Sequence, residues 1–156
     1  MTTNPALLAH VIRLLEGESV SHRLCVHEPG DTAVAIAEAR GTPLELGVKA
    51  LLMKTRKEWV LIAVRAHQRT NNRAVRHALR AQKLRFATRE ELAGYGLQPG
   101  QVPPFGEPIL PFRLVADRDV LALPELAFTA GSNTESIVMA TSDWQALASP
   151  EFFGLT

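Results

Sequence analysis

Lys49 stands near the start of an apolar run, Gly47-Val48-Lys49-Ala50-Leu51-Leu52-Met53. An ammonium in such a run needs a path to water or an anionic partner, because burying it unpaired is costly. On periodicity alone it reads as a strand-end lysine snorkelling to solvent. A second feature adds weight to the anionic reading: the loop Gly100-Gln101-Val102-Pro103-Pro104-Phe105-Gly106. Pro103 and Pro104 remove two backbone donors and fix two φ angles, while the glycines permit close approach to a ligand. Such a loop can aim its remaining N–H groups at a phosphate or an oxyanion; by composition alone it is a rigid surface connection. A third feature, Ala130-Gly131-Ser132-Asn133-Thr134, offers hydroxyls and amides to a pocket, or is a plain hairpin loop.

Charge points the same way. The net value is only +1, yet ten of the 17 Lys and Arg residues fall between positions 54 and 85, where Glu58 is the one acid. Arg69, Arg73, Arg76, Arg80 and Lys83 recur at spacings of four, three, four and three. On one helix they would form a narrow stripe, either solvated or set against a phosphate backbone. Few aromatics interrupt it, so recognition there would rest on charge and shape and weaken with salt.

Other chemistries find little support. Cys25 lies near His22 and His27, but neighbours along a strand do not make a nucleophile–base pair. The five histidines lack zinc-ligand spacing, so neither metal nor cofactor is expected. There is no phosphate-binding Gly-x-x-x-x-Gly-Lys-Ser/Thr loop and no Gly-x-Ser-x-Gly elbow. One cysteine excludes an intrachain disulfide and fits a cytoplasmic protein; no signal peptide or membrane-spanning run is read.

The elements that must position these residues follow from local signals. Asn4-Pro5 caps a helix ending at Gly17, and a short strand covers 23–27. Asp31 or Thr32 starts a helix to Arg40, closed by Gly41. Strands at 48–54 and 59–64 flank a polar hairpin turn. Asn71 or Asn72 caps a helix to about Ala81, and Thr88-Arg89-Glu90-Glu91 is a capping box. After the proline- and glycine-rich stretch 94–111 come strands at 112–116, 126–129 and 136–140, and a helix from Ser142 to Ala148. Without regular βαβ alternation, the expectation is one α+β domain over 1–156, a mixed, mostly antiparallel curved sheet with flanking helices.

In this order the pieces resemble the YbaK-like family of free-standing aminoacyl-tRNA deacylases, relatives of the editing domain of prolyl-tRNA synthetase. The resemblance rests on His27-Glu28-Pro29 with Thr32, Val48-Lys49-Ala50-Leu51-Leu52, Gly100-x-x-x-Pro104, Asp117 and Ala130-Gly131. It implies removal of a small mischarged amino acid from the 3′ end of tRNA, without a covalent side-chain nucleophile. Lys49 and Gly100 would act on the ester-bearing terminus. His27, Ala50, Gln101, Val102, Pro103, Pro104, Gly131, Ser132 and Asn133 would surround the substrate. The basic stripe would hold tRNA backbone, and a synthetase is a possible partner; neither DNA nor membrane is expected. Two departures bear on the pocket: Ala50 replaces a common threonine, and Glu135-Ser136 stands where cysteine-clearing relatives carry an aspartate. A non-catalytic RNA- or nucleotide-binding module and a small-ester hydrolase are the other readings of the same residues.

Overall fold

The computed structural model describes residues 3–156. Helix α1 (Pro5–Gly17) begins where the Asn4 side chain accepts the Leu7 N–H at 3.1 Å. Its buried face, Leu7, Leu8, Val11 and Leu15, follows the helical period and enters the main core. Strand β1 (His22–Val26) leads to helix α2 (Ala33–Arg40), capped by Thr32 and closed at Gly41.

Strands β2 (Val48–Lys54) and β3 (Trp59–Arg65) form the central hairpin. The Thr55 hydroxyl accepts the Lys57 and Glu58 N–H groups and fixes its turn. Helix α3 (Asn72–Leu79) follows, then β4 (Arg85–Phe86), α4 (Arg89–Gly94) with its complete Thr88–Glu91 capping box, and β5 (Arg113–Asp117). Strands β6 (Glu125–Thr129) and β7 (Glu135–Ala140), helix α5 (Thr141–Ala148) and strand β8 (Glu151–Phe153) complete the order.

The α+β class holds, with the strands divided between two sheets. One is antiparallel, ordered β1-β7-β6; the other is mixed, ordered β4-β2-β3-β5-β8. Among the described residues a parallel bridge, Gly47 to Ala127, joins them. Strand β3 is buried on both faces. Leu61 and Ala63 turn to the main core with α1 and Trp144, while Val60, Ile62 and Val64 meet Val75 of α3 in a second cluster. Such two-sided burial explains the continuous apolar run of this strand. Asp117 is buried and accepts the Leu155 N–H at 2.8 Å, which pins the C-terminal segment.

The basic stripe needs correction. α3 ends at Leu79, with Arg80 beyond it at φ 53 and Lys83 in the following loop; Arg69 precedes the Asn71 cap. Only Arg73 and Arg76 of the five stand on the helix. The spacing imitated a helical period across the two helix ends that the caps impose.

Candidate functional site

Beyond the Gly47–Ala127 bridge, β2 and β6 part. β4 pairs with β2 only at Met53 and Lys54, so the earlier half of that β2 edge carries no strand. A cavity of about 530 Å³ occupies the gap. Residues 47–51 line one side and 127–129 another, with 98–102 and the α2 entry at 30–33 completing the wall. The size suits a small-molecule or cofactor-sized ligand.

Lys49 and Gly100 both line this cavity, as do Ala50, Gln101, Val102 and Asn133. Lys49 is half-buried and forms no ion pair among the described residues. Burial, and secondarily the positive charge of Arg69, push its ammonium below the usual lysine value. An anion between the two would remove the repulsion and replace the lost hydration. Arg69 itself is exposed, and none of Arg69, Arg73, Arg76, Arg80 and Lys83 lines the cavity.

The loop is fixed from behind. Gly100 adopts φ +80, and its carbonyl accepts the Thr129 hydroxyl at 2.7 Å. The Gln101 carbonyl accepts the Gly131 N–H at 2.8 Å. Pro103 and Pro104 are buried outside the cavity lining, and the Pro104 carbonyl accepts the indole N–H of fully buried Trp144 at 2.8 Å. Phe105 packs edge-on against Phe128, a lining residue, at 5.6 Å between ring centres. The N–H groups of Gly100 and Val102 have no partner among the described residues. A rigid loop with unpaired donors at a cavity is the arrangement that stabilises negative charge.

Gly131 and Ser132 also lie behind the wall. At Gly131 (φ +69) a Cβ would collide with the Asn4 carbonyl, so only glycine lets the turn reach the first helix. The Ser132 hydroxyl accepts the Thr134 N–H at 3.1 Å and serves the turn. His27 lies outside the lining, 9% exposed, with Nε2 2.7 Å from Ser136 Oγ. That spacing imitates a nucleophile–base pair, but Ser136 is fully buried and does not line the cavity, so it cannot meet a substrate.

The Ser136 hydroxyl also lies 3.2 Å from Arg40 Nη1, and Arg40 does line the cavity. In the sequence Arg40 stands out only as the last residue of a helix. Its one available signal was Gly41 just after it, which marks a helix terminus rather than a site.

The comparisons agree with the fold. Residues 27–147 match the aminoacyl-tRNA editing domain. The multifunctional Ser/Thr-tRNA deacylase ProXp-y of Escherichia coli strain K12 is 34% identical over 150 residues, 90% of this chain and 87% of that protein. The proline–tRNA ligase of Ralstonia pickettii strain 12J is 32% identical over 138 residues, 83% of this chain but only 23% of the ligase. Among solved structures, a candidate trans-editing enzyme for prolyl tRNA synthetase superposes with a TM-score of 0.82 at 25% identity, over 98% of each chain. This chain therefore belongs to the aminoacyl-tRNA editing domain family.

Proposed function

We propose that this protein removes a small mischarged amino acid from the 3′ end of tRNA, acting in trans, with Lys49 anchoring the terminal nucleotide through its phosphate. It is an aminoacyl-tRNA deacylase by family; the roles of individual residues are our reading. The observation that carries them is one cavity shared by a lysine without a carboxylate partner and a rigid loop with free N–H groups.

The acyl carbon–oxygen bond to the terminal ribose is broken, water supplies the new carboxyl oxygen, and the ribose recovers its hydroxyl. Attack comes from water directly or after transfer to the neighbouring ribose hydroxyl. The N–H groups of Gly100 and Val102 hold the ester carbonyl and the negative charge that develops on it. An ester is already activated, so positioning and charge stabilisation supply the acceleration without a triad. Gln101, Ala50 and Asn133 border the substrate. Pro103, Pro104, Gly131 and Ser132 act through the loop and turn they stiffen. Arg69, Arg73 and Arg76 add tRNA backbone affinity on the side of the sheet where Lys49 and Arg69 meet. The Escherichia coli relative's name makes serine and threonine the first amino acids to try. The ligase relatives point to a synthetase as the neighbour in the reaction sequence. No helix among the described residues is long and apolar enough to cross a membrane.

The test is release of labelled amino acid from tRNAs mischarged with Ser, Thr, Ala or Cys. The expectation is release from at least one, dependent on the tRNA. Hydrolysis of free amino-acid esters at the same rate, or tRNA binding without any release, would overturn the proposal.

A further inference from the structure

Arg40, the last residue of α2, is a partly buried cationic group at the cavity that this chemistry leaves unused. Its Nε–H donates to Thr42 Oγ1 at 2.7 Å and its Nη1 to Ser136 Oγ at 3.2 Å. The hydrogen bonds beyond Ser136 have one direction. His27 Nδ1 lies 2.8 Å from the Glu28 carbonyl, which only accepts, so Nδ1 carries the proton. In that tautomer Nε2 accepts from the Ser136 hydroxyl, and the hydroxyl oxygen is left to accept from Arg40. The guanidinium is thereby held from behind by a fully buried serine and a buried histidine.

A guanidinium has five N–H donors in a fixed fork. Two are used here, and the remaining three have no acceptor among the described residues, nor does any carboxylate pair with Arg40. A partly desolvated donor set that lines a cavity is available to an acceptor on the ligand.

The surroundings of the two cations decide which part of the ligand supplies it. Lys49 feels the charge of exposed Arg69, while Arg40 is the more buried of the two and rests on residues with 0% and 9% exposure. The body of a tRNA must stay in solvent, so its phosphodiester belongs with Lys49 and the amino acid with Arg40.

We infer that Arg40 is the specificity-determining residue of this site: its free N–H groups donate to an oxygen on the amino acid's side chain, selecting serine and threonine over apolar residues of equal size. The inference rests on the deacylase reading. The substrate class agrees with the Escherichia coli relative's name, and the residue responsible is what the geometry adds. A pocket that sorts by size alone gains about 10–200-fold per methylene, whereas one built to hydrogen-bond a hydroxyl rejects the analogue lacking it far more strongly.

The experiment uses bulk tRNA charged by an acylating ribozyme with Ser, Ala, Thr or Val, and the full chain as wild type, Arg40→Met and Arg40→Lys. Wild type is expected to clear Thr over Val, and Ser over Ala, by at least about tenfold. Arg40→Met is expected to bring both ratios within about twofold by losing Ser and Thr, with Ala and Val changed less than about threefold. Arg40→Lys keeps the charge and the stem, should show an intermediate ratio, and provides the readout if Arg40→Met does not fold. An equal loss on all four charges would make Arg40 merely structural and overturn the inference. So would a wild type that clears Ala and Val as fast as Ser and Thr, which leaves the deacylase reading standing. Release from none of the four would overturn the inference, and the deacylase reading would fall with it only if Cys-tRNA were also left intact.

Discussion

Two groups of cations sit on this fold under opposite rules. At the end of the five-stranded sheet away from the cavity, two arginines have carboxylate partners. Arg85 grips both oxygens of Glu91 at 2.7 and 2.9 Å, and Arg113 meets Glu151 at 2.7 Å and Glu58 at 3.1 Å. Those partners hold both guanidinium groups above their ordinary pKa, and Glu91 is lowered to about 2. At the cavity, Lys49 and Arg40 have no carboxylate partner among the described residues, and burial lowers the pKa of both. The first group stabilises the fold through partners inside the chain. The second costs stability in the free protein and leaves its charge available to something that arrives.

Exchanging the two behaviours would break this contrast. Lys49→Ala removes a charge-assisted contact with phosphate of about 1.5–3 kcal/mol, so deacylation should fall about 10- to 100-fold while the unfolding midpoint stays or rises. A matching loss of stability would put Lys49 in the structural group. Reversing Arg73 and Arg76 together to glutamate should weaken tRNA binding about tenfold and flatten its salt dependence by about one to two charges. Unchanged binding across a salt titration would remove α3 from the interface. Arg113→Ala should do the reverse of Lys49→Ala, costing about 1 kcal/mol in denaturant unfolding and leaving deacylation rates within twofold. A large activity loss in that variant would erase the distinction.

Two pH effects sharpen it further. The folded pKa of Lys49 lies below its unfolded value, so within that window the unfolded chain binds more protons and wild-type stability rises with pH. Lys49→Met should lose this alkaline gain, as read by denaturant midpoints across the window. Glu91 works at the other extreme. Its stabilisation is complete above the unfolded carboxylate value and disappears as pH falls through about 2. Glu91→Gln should remove that part of the acid transition; an identical acid profile would show that the exposed pair contributes nothing.

The sequence was readable wherever the signal was local. Asn4, Thr32, Asn71 and Thr88 each cap the helix that follows, and Thr55 turns the central hairpin. β4 and β8, two and three residues long, exist only through pairing with distant strands and have no pattern of their own. The arginine stripe failed because a spacing rule was extended through an N-cap and a left-handed residue. At the site, Lys49 and the loop were visible because each contradicts its surroundings. Arg40 and Ser136 were not, since their meaning depends on a contact between residues 96 positions apart. His27 was singled out with the substrate residues, and its observed contact is with Ser136 behind the wall.

Asn4 gives the turn at Gly131 a longer reach. Its N–H donates to the Gly131 carbonyl at 2.7 Å and its side-chain amide to the Gly96 carbonyl at 2.8 Å, on either side of the loop that Gln101 anchors. The residue that starts the first helix is therefore a clamp on the segment that forms the cavity wall. During synthesis α1 emerges early but cannot complete this clamp until the chain has passed residue 131, which makes the wall a late, high-contact-order assembly. Substitution of Asn4 should accordingly register as a change in turnover before it registers as a change in global stability, because the same residue that starts α1 sets the cavity wall.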